Sequence, residues 1–184
     1  MKKILVAVAL VSVLGATVAS AASYEGKWGV SLANSSFPVG VTFGLGKTAA
    51  VDVGVGFSSS KSGVEGASSL SNFGVEAGVR GALMQTENAN LFVRGFGSYY
   101  SAANYSSSFV RNATGDTPKQ NTIKFGAQLG FEWWPASIVS VYARHGIAYT
   151  STKSNADGAV AATSFGLEGE TLGQAGFCLW FGGK

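Results

Sequence analysis

Two consecutive stretches in the second half of the chain alternate between apolar residues and small or polar residues. The first runs from Ile123 to Trp133 and the second from Ile138 to Thr150, with Pro135-Ala136-Ser137 between them. A period of two places successive side chains on opposite faces of a β-strand. Because Pro135 has no backbone N–H, we expect it to end the first strand. Residues 121–150 therefore predict a hairpin of two long strands joined by a very short turn.

The same alternation predicts six further strands. Five precede the hairpin, at about residues 25–33, 39–45, 51–58, 71–83 and 90–102; the last begins between Thr163 and Thr171 and ends near Phe181. In the fifth strand Arg94 should point inward, yet Phe92 and Phe96 have the same parity (all three numbers are even), so they belong to the same face. A β-bulge that shifts the alternation is therefore an alternative. The connections near residues 46, 85 and 135 are short, those after residues 59, 102 and 150 are long, and the loop at Asn34 is the exception. Eight strands with alternating loop lengths predict an all-β, antiparallel, up-and-down transmembrane β-barrel with both termini at the short-turn end.

The N-terminus has the pattern of a signal peptide. Lys2 and Lys3 precede an apolar run from Ile4 to Leu14, and Ala19-Ser20-Ala21 is a small-residue cleavage site. The alternative, a transmembrane anchor, would need a longer apolar run. We therefore expect residues 1–21 to be a signal peptide and residues 22–184 to form one barrel domain.

Composition suggests which face of the barrel lies outside. Charged residues make up 12% of the chain, about half the usual share, and no apolar run after the leader reaches the length of a membrane helix. The second face of each strand carries Gly, Ser, Thr and Ala, whereas a soluble barrel, the alternative, would carry many Lys and Glu there. The net charge of +3 includes Lys2 and Lys3, and no basic cluster that would indicate nucleic-acid binding remains after them. A lipid-facing apolar exterior is therefore expected.

The polar residues of the opposite parity should point into the lumen. From their spacing to the turns we expect Arg80 and Arg94 to lie level on adjacent strands, and Gln128 and Arg144 likewise. Like charges so close need carboxylates nearby. The structural interpretation is an ionic plug that fills the lumen, and the functional alternative is the lining or gate of a narrow pore. The expected lumen polar network comprises Asp52, Glu76, Arg80, Arg94, Lys124, Gln128, Glu132 and Arg144.

Four aromatic residues lie at strand ends near the short turns, where membrane barrels carry an aromatic girdle. This expected girdle comprises Trp133, Trp134, Trp180 and Phe181.

Taken together, the leader, the Val51–Phe57 and Ile123–Trp133 alternations and the ending Gly176–Phe181 resemble the small outer-membrane β-barrels of Gram-negative bacteria, the opacity-protein or eight-stranded porin-like group. The resemblance implies location in the outer membrane, contact with its lipid, and insertion by the barrel-assembly machinery. Such proteins usually finish on an aromatic residue, whereas here Gly182-Gly183-Lys184 follows Phe181.

Some barrels of this size modify lipid A, so an enzymatic role has to be considered. The chain has a single histidine, His145, whose parity points it outward, and lipid A deacylase-like barrels are expected to have a His-x-Ser pair where this chain has His145-Gly146-Ile147. One histidine and Cys178 on different strands form no metal-ligand set. We therefore expect no enzymatic activity, no metal and no cofactor.

The long loops remain as the surface for recognition. The loop from Ala103 to Gln120 holds the contact candidates Tyr105, Phe109 and Arg111, residue types enriched at interfaces. The sequence thus favours a non-enzymatic barrel with an envelope-structural or surface-interaction role. A narrow porin-like channel and, less favoured, a lipid A-modifying enzyme are the alternatives.

Overall fold

The structure, a computed structural model, describes residues 22–61, 69–103, 119–155, 158–167 and 174–183. In these ranges the regular secondary structure is entirely β-strand, and they contain no helix long and apolar enough to cross a membrane. The expected signal peptide, residues 1–21, lies outside the described residues, as do the loop candidates Tyr105, Phe109 and Arg111.

Nine strands are described, in the order β1 (Lys27–Ala33), β2 (Val39–Gly44), β3 (Ala49–Lys61), β4 (Ser69–Gln85), β5 (Ala89–Ala103), β6 (Lys119–Ala136), β7 (Val139–Ser154), β8 (Ala162–Leu167) and β9 (Gln174–Gly182). From β1 to β7 each strand pairs antiparallel with the next. β9 pairs with both β7 and β1, while β8 pairs with β7 further along the same edge. β8 and β9 therefore share the eighth position of a closed ring. The predicted eight-stranded antiparallel barrel is confirmed, with its last strand divided.

The wall of the barrel is uneven in height. β3 to β7 contain 13 to 18 residues each, whereas β1 has seven and β2 has six. The turns after β2, β4 and β6 lie at one end, which we call the short-turn end, and the connections after β1, β3, β5 and β7 lie at the long-loop end. Both β1 and β9 reach the short-turn end, where Lys27 pairs with Gly182.

The alternation of side chains holds around the barrel. In β6 the odd-numbered residues from Ile123 to Trp133 are exposed, and from Gln128 onward their even-numbered neighbours are buried. In β5, Phe92 and Phe96 are buried beside Arg94, and the register with β6 runs without a shift. A bulge at Arg94 is therefore wrong; the irregularity lies instead in β4, between Ala82 and Met84.

Two expectations about the central hairpin need correction. Pro135 does not end β6, which continues to Ala136 through a register shift that begins at Trp133. Because of that shift Arg144 faces Gly130, and Gln128 faces Gly146, so Gln128 and Arg144 are not level. β7 also continues past Thr150 to Ser154, where its polar residues give no period-two signal.

Half of the expected aromatic girdle is also wrong. Trp134 and Trp180 have even parity and are almost completely buried inside the barrel, whereas Trp133 and Phe181 are exposed on the outer surface. Phe181 stacks there on Trp28, with 4.6 Å between ring centroids. The alternation of the strand, rather than the preference of tryptophan for interfaces, decides where each ring lies.

Candidate functional site in the barrel lumen

Arg94 occupies the centre of the lumen and is fully buried. Its Nε donates to both carboxylate oxygens of Asp52, at 3.1 and 3.0 Å, and its Nη2 also pairs with Asp52. Nη2 donates to Glu76 at 3.0 Å and Nη1 to the Gln128 amide oxygen at 3.0 Å. Gly78 leaves room for the guanidinium, because a Cβ there would lie 2.5 Å from it. One planar guanidinium thus joins groups from β3, β4 and β6.

Arg94 and these partners form a first polar layer across the lumen. Arg144 extends this layer to the other side of the barrel. Its Nη2 lies 3.3 Å from Glu76, and its Nε donates to the Gln174 amide oxygen at 2.8 Å. Glu76 therefore lies between two guanidinium groups.

A second layer, nearer the short-turn end, is centred on the buried carboxylate of Glu132. It accepts hydrogen bonds from the hydroxyls of Tyr24 and Ser140, both at 2.5 Å, and lies 3.4 Å from Arg80 Nη1. Ser140 in turn accepts a hydrogen bond from Trp180 Nε1 at 2.8 Å. The carboxylate is fully enclosed by donors, which offsets the cost of burying its charge.

Aromatic rings close the short-turn end of the lumen. Trp134 and Trp180 stack with centroids 4.9 Å apart, and Tyr24 lies 5.7 Å from Trp180. The guanidinium carbon of Arg80 lies 5.1 to 5.7 Å from the rings of Tyr24, Phe92 and Trp180, within the range of cation–π attraction. We call Tyr24, Trp134 and Trp180 the aromatic floor.

Tyr24 belongs to the segment before β1, and that segment is held inside the barrel. The Tyr24 N–H donates to the Lys47 carbonyl at 3.2 Å, and the Ala22 carbonyl accepts from the side chains of Asn90, at 2.9 Å, and Gln85. Burial raises the pKa of the Tyr24 phenol above its ordinary value, so the hydroxyl remains a donor to Glu132.

Phe37 covers the lumen from the long-loop side. It lies in the connection 34–38, which folds into the barrel and packs against glycines. A Cβ added at Gly74 would lie 2.7 Å from the Phe37 ring, and a Cβ added at Gly54 would lie 3.2 Å from the Cβ of Phe37. Its ring also contacts Tyr100 edge-on, at 6.4 Å between centroids. Beneath it lies a cavity of about 20 Å³, room for a water molecule, which Asp52, Glu76, Arg80, Tyr142 and Arg144 also line.

The charges of these two layers balance. Three guanidiniums, Arg80, Arg94 and Arg144, meet the three carboxylates of Asp52, Glu76 and Glu132. The arrangement fills the middle of the lumen with groups that bond to one another. Such a network can hold the wall of the barrel together and can exclude ions from its centre.

Most of the residues expected in the lumen belong to this network. Arg80 and Arg94 are directly paired in register, as expected. Lys124 has inward parity and is half-buried nearer the long-loop end. Sequence reasoning missed Tyr24, Phe37, Ser140, Gln174 and Thr42, whose hydroxyl accepts a hydrogen bond from Arg80 Nη2 at 3.4 Å. Ser140 and Thr42 could have been found from their inward parity, and Phe37 from the glycines that face it, but Tyr24 precedes the first strand and has no periodic signal.

The other candidate residues lie apart from the lumen network or have a packing role. His145 is exposed on the outer face of β7, opposite Leu129. Cys178 is buried against the aromatic floor. Among the residues that the structure describes, no three His, Cys, Asp or Glu side chains come together as a group that could hold a metal ion.

The fold and the lumen define the class of this protein: a closed eight-stranded antiparallel β-barrel with an apolar outer surface and an ionic, hydrogen-bonded interior. In comparisons with known proteins, no protein-family model, no curated protein and no solved structure matches the chain.

Proposed function

We propose that the chain is a non-enzymatic outer-membrane β-barrel protein of the opacity-protein or porin-like kind, with a plugged polar lumen. The observation that carries the proposal is the inverted distribution of side chains. Large apolar residues are exposed around the outside, on every strand from β1 to β9, while buried Arg94, Glu132 and Gln128 lie inside.

Physical chemistry favours lipid as the surroundings of this surface. A water-exposed apolar surface that encircles the molecule is far larger than the patches that soluble monomers tolerate. A closed barrel satisfies the backbone hydrogen bonds of its strands within the wall, which hydrocarbon requires. Outer-membrane lipid and, during insertion, the barrel-assembly machinery are the partners that this proposal implies.

The plugged centre favours a structural or recognition role over transport. Because the two ionic layers and the aromatic floor fill the lumen, we place the functional surface at the long-loop end, where a surface or host ligand would bind.

The outward position of His145, away from the hydroxyl and carboxylate groups of the lumen, supports the absence of catalysis. Expression should therefore leave the mass of lipid A unchanged, and a change that is lost in His145→Ala would contradict this.

The test is fractionation of a Gram-negative host that expresses the full chain. The protein should sediment with the outer membrane, and in SDS the unboiled sample should migrate faster than the boiled one, because the barrel resists unfolding without heat. Recovery in the soluble periplasmic fraction with one mobility would overturn the proposal and favour a soluble barrel.

A narrow channel is the second candidate, and the cavity beneath Phe37 is the observation that favours it. That cavity lies beside charged side chains and would need to connect past the aromatic floor to conduct. Stepwise ionic currents from the unaltered protein in a planar bilayer would support this alternative.

A further inference from the structure

One side of the barrel is too short to form a complete wall. A transmembrane strand needs about 9–11 residues, whereas β1 has seven and β2 has six. β2 ends its pairing with β3 at Val55, so β3 from Gly56 onward has no β2 partner. β8, on the other side, pairs with β7 alone among the described strands. Among the residues that the structure describes, a notch therefore lies above β1 and β2, between an edge of β3 and an edge of β8.

The edges of this notch are apolar and unusually exposed. Phe57 on β3 is 74% exposed and Phe165 on β8 is 72% exposed, compared with 59% for Phe125 and 51% for Phe131 on the fully paired β6. β8 contains no charged residue, and all six of its residues are exposed. This side of the molecule would suit a hydrocarbon chain better than water.

Behind the short wall lies the cavity that Phe37 covers. Ser31 and Gly40 from β1 and β2 line it on the notch side, and Arg80, Tyr142 and Arg144 line it on the lumen side. Arg80 is 3% exposed, and its Nε has no hydrogen-bond partner among the described residues. Asp52 and Glu76 also line the cavity, where they pair with Arg94 and Arg144. Arg80 pairs with Glu132 through Nη1, so the N–H at Arg80 Nε is the donor that the cavity offers to an anion.

We propose that this cavity binds the anionic headgroup of a single-chain amphiphile, which enters sideways from the membrane through the notch. The headgroup accepts a hydrogen bond from the Nε of Arg80, with Arg144 and the Tyr142 hydroxyl beside it. The chain passes between the edges at Phe57 and Phe165. Because the cavity now has room only for water, the Phe37 ring moves out as the amphiphile enters, and the chain takes its place. The proposal goes beyond the plugged barrel and depends on its membrane placement only for the source of the ligand.

The test measures binding of radiolabelled laurate to the folded full-length protein in phosphatidylcholine nanodiscs, by equilibrium dialysis against nanodiscs without protein. Dodecyltrimethylammonium, with the same chain and the opposite charge, is the matched probe. Laurate should bind at least tenfold more tightly than the cation. Phe37→Ala should bind laurate severalfold more tightly than the unaltered protein, because no ring has to be displaced.

The cavity is tested separately by Gly54→Val, which places a side chain beside Phe37, with Gly81→Val as its control because a Cβ at Gly81 meets nothing within 4 Å. Laurate binding should fall at least tenfold in the first variant and remain in the second, with both proteins folded by their unboiled mobility in SDS. Equal binding of the two probes, equal binding by both variants, or no laurate binding even by Phe37→Ala would overturn the proposal. Incorporation of the folded protein into the nanodiscs is verified first, so that absence of laurate binding by the inserted protein is distinguishable from a failure of the membrane placement itself.

Discussion

Glu132 shows how a single buried carboxylate can organise one end of a barrel. Its donors come from three separate parts of the chain: the segment before β1, β4 and β7. A carboxylate in such a site accepts charge-assisted hydrogen bonds, which are roughly twice as strong as neutral ones. Glu132 therefore links residues that the strand ladder alone would leave independent.

Replacing Glu132 by Gln should destabilise the barrel by about 3–5 kcal/mol, because Arg80 would remain buried without its counter-charge. The measurement is the urea midpoint of unfolding in detergent micelles, followed by the mobility change in SDS. Glu87→Gln is the control, since Glu87 is exposed in the turn after β4. Equal midpoints for the two variants would show that Glu132 does not stabilise this end of the barrel.

The two neighbouring tryptophans of β6 should respond differently to lipid. In variants that retain only one tryptophan, a brominated lipid should quench Trp133 strongly and Trp134 little, because the first is exposed on the outer face and the second is buried among the aromatic floor. Fluorescence in bilayers with and without the brominated lipid measures this. Strong quenching of Trp134 would mean that its ring points outward after all.

At the level of single residues, strand parity predicted more than residue type did. Parity correctly put Arg94 inside, although Phe92 and Phe96 seemed to argue for a bulge. Residue type put Trp134 and Trp180 outside, and that was wrong. Which arginine pairs with which carboxylate could not be predicted, because those contacts join strands that are distant in the sequence.

The strands themselves were predictable where apolar and small residues alternate, and their ends were not. Where β7 continues through Ser151 to Ser154, both faces are polar and the alternation disappears. The division of the eighth strand was also missed, because the pairing of β8 and β9 with β7 depends on register rather than on local pattern. Parity predicted that the glycines lie on the inner face. It did not predict how closely neighbouring strands and side chains approach them.

Gly146 in β7 provides a test of that close approach. A Cβ at this position would overlap the carbonyl oxygen of Ala127 on β6. Gly146→Ala should therefore destabilise the barrel by about 1–3 kcal/mol, as expected for overpacking, whereas Gly95→Ala should not, because a Cβ at Gly95 meets nothing within 4 Å. Urea unfolding of both variants makes the comparison. An unchanged midpoint for Gly146→Ala would show that the two strands lie further apart.

For the whole molecule, the lumen network predicts how the barrel behaves towards ions. The unaltered protein should give no current steps in a planar bilayer, because Arg94 and its partners fill the centre. Arg94→Ala combined with Trp134→Ala and Trp180→Ala should open a cation-selective path, since it removes rings of the aromatic floor, leaves space beside Gly78 and leaves an excess of negative charge from Asp52 and Glu76. Lys153→Ala, at an exposed position of β7, is the control. A folded triple variant that gives no current would contradict this prediction.

The pairing of Lys27 with Gly182 has a consequence for how the molecule is assembled. The first strand cannot find its second neighbour until the last strand has been synthesised and delivered, since nearly the whole barrel lies between them. Pairing between such distant segments makes folding slow, because the loop has to close before the contact stabilises it. Until that moment β1 and β9 are open edges, to which a strand of another protein could add. We propose that a chaperone covers these open edges until β9 is in place.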